Sequence, residues 1–254
     1  MKKISLFLVL FSLFTISTLV FTNCKKDNDT DDPTTPIVPT TTTTISGIVV
    51  DLNNNPIQGV SVMLEGSTIA PKTTTQYGSF YFHKVSTSNR ISLTFSKDSY
   101  LKVTRSETRP SSGVVIIHAM LIPKNSDIST TSMVNGSIGG NISLPSANTQ
   151  VIFPANSLVD ANGNVFTGNA EISLAYLDPS AENFNKLIPG GDMLALNSSS
   201  TNGLLYSFGI IKVEITDGNG NALQLKNETS SKATIEVGVP VTMQADAPTT
   251  IPLW

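Results

Sequence analysis

From Ile45 onward, apolar and polar residues alternate in short runs that are cut by Gly, Pro, Asn and Asp. A period of two puts every second side chain on one face of a strand, so each run predicts a half-buried strand of about five residues. S-G-I-V-V-D gives a first strand, N-N-N-P-I-Q-G a turn, and V-S-V-M-L-E-G a second strand with Val60, Val62 and Leu64 on one face. The block from Thr73 to Val85 follows, with Gly78 as the turn and Phe80 and Phe82 as inward candidates. I-S-L-T-F-S-K-D-S-Y-L-K-V and G-V-V-I-I-H-A-M-L-I-P complete a first set of strands.

After a polar joint, P-K-N-S-D-I-S-T-T-S, the alternation resumes near Ser132. Ile172, Leu174 and Tyr176 form one period-two face, and Ile211, Val213 and Ile215 form another. Asn162-Gly163 and Asn219-Gly220 are hairpin signals, because these residues tolerate the positive φ of tight turns. The pattern predicts an all-β chain with two β-sandwich modules in tandem, at residues 45–123 and 132–254, joined by a linker at 124–131.

The chain ahead of the strands reads differently. Met1-Lys2-Lys3 is a short basic start, and Ile4 to Phe21 carries no charge over 18 residues. A basic region, an apolar core and a following cut site predict a signal peptide at residues 1–23 rather than a retained membrane helix. Cys24, the only cysteine of 254 residues, sits at that cut. The stretch resembles a bacterial lipoprotein box, with Phe21, Thr22 and Asn23 ahead of the cysteine, a relaxed form similar to those of Bacteroidota. In such proteins the cysteine becomes the first mature residue and is acylated, as with palmitate. Lys25, Lys26, Asp27, Asp29, Asp31 and Asp32 resemble the charged run that marks surface export. Each buried acyl methylene contributes about 0.8 kcal/mol, so several chains on one residue hold firmly without a spanning helix. Residues 24–44 are rich in Thr, Pro and Asp and lack apolar periodicity, which predicts a disordered tether.

Composition narrows the rest. Charged residues are 14% of the chain and the net charge is −3, so no basic footprint points to nucleic acid. Loss of residues 1–23 removes Lys2 and Lys3 and leaves 14 basic against 19 acidic residues. One cysteine excludes an intrachain disulfide, and with only His83 and His118 beside it a Cys/His metal site is not expected.

The motifs G-x-V-x-D at Gly47, Val49 and Asp51, P-I-x-G-V-x-V at Pro56 to Val62, and T-x-x-Y-G-x-F from Thr74 to Phe80 occur in order. With Tyr100 following Ser99, they resemble the carboxypeptidase regulatory-like domain over Ser46 to Pro123. The resemblance implies a transthyretin-like sandwich of seven strands with no catalytic residues of its own. In the second module, P-A-x-S-L-x-D-x-x-G at Pro154 to Gly163, Y-L-D-P at Tyr176 to Pro179, the Pro189 to Ala195 segment, the Ser207 to Val213 segment and the final P-L-W at Trp254 resemble a region of cartilage intermediate layer proteins. A module truncated at its C-terminus, or one short of a strand, is the expectation there.

Two segments have the spacing of cation loops. Asp217, Asn219 and Asn221 with Glu228 offer oxygens at calcium-loop positions, yet Ala222 stands where a sharp turn needs Gly and the flanks read as strands. A hairpin turn explains the same residues, and Asp160-Ala-Asn162-Gly163-Asn164 reads the same way. His83 and His118 read as strand side chains, with no nucleophile and acid at a diagnostic spacing. No G-x-S-x-G, H-E-x-x-H or P-loop occurs, and Pro189-Gly190-Gly191-Asp192 lacks a following G-K-S/T. The loops Asp178 to Asp192 and Asn197 to Leu205 are the best places for binding, with Phe184, Tyr206 and Trp254 nearby in sequence. The blander reading, which we favour, buries Tyr206 and Phe208 in a strand and leaves the loops as connections.

The sequence therefore predicts a non-catalytic cell-surface lipoprotein that needs no cofactor, is lipid-anchored to the outer membrane through Cys24, and faces the exterior. Its modules would act in binding, adhesion or spacing, toward an extracellular polymer or protein and not toward nucleic acid. Two alternatives stay open: a glycan- or protein-capturing component of a nutrient uptake system, and accessory modules of a longer chain.

Overall fold

The computed structural model describes residues 42–86, 90–109, 113–188, 194–196, 202–228 and 231–250. Residues 40–254 form one compact unit, and within it the protein is all-β. No helix among the described residues is long and apolar enough to cross a membrane.

The first sandwich packs two sheets. One is β4 (Ser79–Ser86), β1 (Thr42–Val50) and β7 (Val114–Ile116), with β8 (Ala119–Met120) continuing beside β1. The other is β3 (Lys72–Thr73), β2 (Ser61–Leu64), β5 (Arg90–Ser96) and β6 (Val103–Thr108). Burial follows the period of two: Ile45 and Val49 on β1, Val62 and Leu64 on β2, and Phe80 and Phe82 on β4 all enter the core. Phe80 meets Phe95 of the facing sheet edge-on at 5.5 Å between ring centroids, the favoured aromatic geometry. The run G-V-V-I-I-H-A-M divides into β7 and β8 around Ile117. Its carbonyl lies so close to β1 that a Cβ on Gly47 would stand 1.8 Å from it. Ile117 N–H still reaches the Ser46 carbonyl at 2.9 Å, so the chain stays bonded to β1 where the strand assignment breaks.

The second sandwich packs β9 (Ser129–Asn135), β13 (Asn169–Leu177) and β16 (Ile210–Thr216) against β10 (Gly140–Leu144), β11 (Thr149–Phe153) and β18 (Thr234–Glu236). Short pairs, β12 (Leu158–Val159) with β17 (Gln224–Leu225) and β14 (Leu194–Leu196) with β15 (Asn202–Leu204), complete it. Ile172, Leu174 and Tyr176 of β13 lie opposite Ile215, Val213 and Ile211 of β16, and all six contribute to the core. The Tyr176 hydroxyl donates to the Gly238 carbonyl at 2.9 Å, tying the two sheets together at one end. Burial, and then the charge of Asp178, push its pKa up to about 12, so it stays a donor at any ordinary pH.

β13 is buried on both faces at its C-terminal end, which a lone sandwich cannot achieve. The outer face there meets the first sandwich in a third apolar core, where Leu101, Met120 and Ile122 pack with Ala175, Leu177 and Ile188. Polar groups finish the joint. Lys102 N–H donates to Glu214 Oε1 at 2.5 Å, Lys124 N–H donates to the Ser99 carbonyl at 2.8 Å, and the Arg105 guanidinium donates to the Ile188 carbonyl. Burial pushes the Arg105 pKa down and Glu107 partly offsets this. Thr131 Oγ1 donates to the Lys124 carbonyl at 3.0 Å, so the polar joint is bonded to the fold, and β9 begins within it at Ser129.

Candidate binding surfaces

The motif residues of the first sandwich are occupied with structure. Thr74 Oγ1 donates to the Ile57 carbonyl at 2.7 Å and accepts from Val60 N–H at 2.9 Å, pinning the P-I-x-G-V turn. Gly78 has φ +68°, and a Cβ there would stand 2.4 Å from the Val49 carbonyl oxygen, so no other residue fits. Asp51 Oδ1 accepts from Asn53 and Asn55 N–H, each at 2.8 Å, and Oδ2 accepts from the Asn55 amide at 3.1 Å.

That last arrangement recurs twice. Asp160 Oδ1 accepts from Asn162 and Asn164 N–H at 2.9 Å, and Asp217 Oδ1 from Asn219 and Asn221 N–H at 2.8 Å. In each loop the fourth residue has positive φ: Asn54 at 64°, Gly163 at 81° and Gly220 at 80°. Both carboxylate oxygens of Asp217 thus face N–H donors, the arrangement of a hairpin turn rather than of cation ligands. These donors hold the three aspartates below the usual carboxylate range. For Asp160 and Asp217 the side-chain amide of the last Asn leads; for Asp51 burial pushes upward and is outweighed by hydrogen bonds from Asn55 and Asn53. The Asp51 loop, which the sequence reading took as an ordinary turn, is the same five-residue device with Asn in place of Gly. Among the described residues no three His, Cys, Asp or Glu side chains lie close enough to hold a metal.

Of the two predicted binding loops, the first is described from Asp178 to Ile188. Asp178 Oδ1 caps a turn by accepting from Ser180 N–H at 2.8 Å. The helical turn Phe184–Leu187 that follows buries Phe184 and Leu187 in the third core, so this loop seals the joint between the sandwiches. Tyr206 is exposed, with its ring edge-on to Phe208 at 5.1 Å, and both precede β16. The favoured burial of Tyr206 in a strand is corrected: β16 starts only at Ile210, and Tyr206 lies outside its alternation. Pro189 to Asp192, Asn197 to Thr201 of the second predicted loop, Trp254 and Cys24 lie outside the described residues.

Among the described residues, two surfaces are the strongest candidates for binding. The first is the outer face of the sheet β4–β1–β7. Strand alternation turns Phe80 and Phe82 inward and therefore Tyr81 and His83 outward, where their rings stack at 5.9 Å and 25°, with the Tyr81 hydroxyl 3.1 Å from His83 Nδ1. Across the sheet, Ser46 lies opposite both Tyr81 and Ile116, and Thr44 opposite Val114. Tyr81 is 51%, Val114 56% and Ile116 62% exposed. This face combines a flat pair of rings with aliphatic side chains and hydroxyls, and His118 is exposed on the same alternation. The second surface is a groove of about 810 Å³ between the sandwiches, lined by Lys97, Asp98 and Lys102 on one side and by Glu171, Glu214 and Asp217 on the other. Its charges already pair across the joint, as in Lys124 with Glu171, so it reads as the wet rim of the third core.

A family model of the carboxypeptidase regulatory-like domain matches residues 44–120, and that domain is present in the chain. Among solved structures, the Bacillus anthracis TIE protein is 8% identical over 79% of this chain and 29% of that one, with a TM-score of 0.30. A streptococcal ancillary pilin is 11% identical over 80% of this chain and 61% of that one, with a TM-score of 0.26. The chain thus spans less than two thirds of the length of either. No curated protein matches it.

Proposed function

We propose that this protein is a non-catalytic surface lipoprotein of Bacteroidota type, held in the outer membrane by acylated Cys24 and facing the exterior. Residues 24–44 are its tether, and the modules at 45–123 and 132–254, the second akin to the cartilage intermediate layer region, are displayed beyond it. The function is extracellular binding or adhesion through the ring-bearing outer face of the first sandwich. The observation that carries this is the third core: by joining both sandwiches it leaves Tyr81, His83 and Ile116 on an uncovered face of one compact unit.

Labelling cells with a palmitate analogue tests the anchor. Wild type labels and Cys24→Ser does not; equal labelling of the two removes the lipoprotein reading. Protease shaving of intact cells tests the facing, and an outward protein is cleaved within its tether. The stacked Tyr81–His83 pair favours a second, sharper reading, capture of a glycan in nutrient uptake, because aromatic faces take the apolar faces of sugar rings. A glycan array probed with wild type and Tyr81→Ala separates the two: lost glycan signal in the variant supports glycan capture, and its absence in both leaves a protein as the partner.

A further inference from the structure

Among the described residues, one side of the second sandwich is open. Ile235 lies opposite Val151, whose side chain is in the core, so Ile235 points inward; yet it is 49% exposed, and Val237 beyond it 37%. Across from them, Ile211, Val213 and Ile215 of β16 point inward opposite buried Tyr176, Leu174 and Ile172, and all of β16 is only half-buried. A Cβ added at Gly209 would stand 2.8 Å from Val237 Cγ1 and 3.1 Å from the Gly238 carbonyl oxygen, which puts these two strands on the same side of the sandwich. Each is the last strand of its sheet among the described residues. Leu223 N–H donates to the Ile215 carbonyl from the side away from β13. By alternation, the main-chain groups of Ile211 and Val213 also face that free edge. A free edge with inward aliphatic residues is a template for another strand.

We infer that a second copy of this chain closes the opening, in a two-fold dimer that sets β16 of each copy beside β18 of the other. The two edges are complementary. β16 presents Ile211-Lys212-Val213, and β18 with the residue that follows it presents Ile235-Glu236-Val237. The closeness of Gly209 to Val237 sets the start of β16 near the end of β18, so the strands oppose in direction. A two-fold axis parallel to them brings β16 of one copy antiparallel to β18 of its partner and keeps the two outer faces on one side. Lys212 lies opposite Ala175 on the outer face of its sheet, and Glu236 opposite Gln150 on the outer face of the other. Lys212, which pairs with Glu214 of its own strand at 3.5 Å, thereby comes beside Glu236 of the partner copy, whose carboxylate accepts from the Gln150 amide at 2.6 Å, while the inward aliphatic residues of both copies join into one core. An isologous contact of this kind is made twice by symmetry. Pairing β16 with β16 instead, with Ile211 opposite Val213, would set the two Lys212 side chains against each other, which like charges disfavour.

Sedimentation of the full chain over a concentration series tests this. Wild type is expected to show a monomer–dimer equilibrium. Lys212→Glu and Glu236→Lys each place like charges across both contacts and weaken the dimer by about tenfold or more, while the double variant regains it. Glu236 is exposed, so Glu236→Lys keeps the test open even if the change at the more buried Lys212 disturbs folding, which circular dichroism would report. A wild type that stays monomeric throughout overturns the proposal. So does a dimer indifferent to Glu236→Lys, or a monomer whose Ile211 and Val213 amides exchange slowly because other residues of the chain cover the edge.

Discussion

The two sandwiches are built from the same alternation and end in different states. In the first, inward residues from both sheets are buried almost completely, as with Ile91, Leu93 and Phe95 on β5. In the second, β13 is buried throughout its length after Asn169 and Glu171, while its neighbour β16 and the facing edge strand β18 keep inward aliphatic residues in contact with water. Period two assigns a side chain to a face, but burial depends on whether another strand lies beyond it. An inward position on a closed sheet contributes its full transfer free energy, and one at an open edge contributes part of it.

The largest expected effect lies at the closed core. Phe95→Ala removes a fully buried ring and should cost about 3–5 kcal/mol, whereas Val213→Ala at the open edge should cost about 1 kcal/mol or less in the monomer; urea titrations of the two variants measure the difference, and equal losses would erase the distinction between the sandwiches. Next comes the shared core. Leu101→Ala should cost about 2–4 kcal/mol and loosen one sandwich from the other, and scanning calorimetry should then resolve two transitions where the wild type shows one.

A third effect depends on pH and touches both sandwiches alike. Asp51, Asp160 and Asp217 have folded pKa values below the ordinary 3.8. The stability they contribute is therefore fully present above that pH and is lost as pH falls through their lower folded values. Asp217→Asn should lower the neutral plateau while leaving stability in strong acid almost unchanged, which flattens the acid limb, and Asp51→Asn should do the same in the first sandwich. Smallest is the turn glycine. Gly220→Ala forces a Cβ into positive φ and should cost about 1 kcal/mol, while Asn54→Gly relieves the same position in the Asp51 loop and should be neutral or slightly stabilising in thermal melts.

Much of this was legible from residues. Phe80, Phe82, Ile172 and Leu174 were assigned inward because a strand has only two faces, and the Asn-Gly turns because few residues accept positive φ. The loop at Asp178 was harder. Phe184 and Leu187 are apolar residues in a polar stretch, and that signal fits a ligand site as well as a buried contact; only the first sandwich, supplying Leu101 and Ile122, decides for the contact. Tyr206 was misjudged because alternation says nothing about where a strand begins. The ring pair Tyr81–His83 follows from the same alternation, but that its outer face is left exposed depends on what packs over the sheet.

The sequence by itself determined the alternation, the turns, the two sets of strands and the inward or outward side of each residue, all of which follow from local geometry and the chemistry of single side chains. Only the tertiary structure decided which outer face is covered and which edge stays free. The outer side of β13 disappears beneath the first sandwich, the outer side of β1 stays in water, and among the described residues β16 and β18 are the last strands of their sheets, with β16 bonded beyond only near its end, by Leu223. These outcomes depend on how whole sheets meet, through contacts between residues far apart in the chain, and no short stretch of residues encodes them.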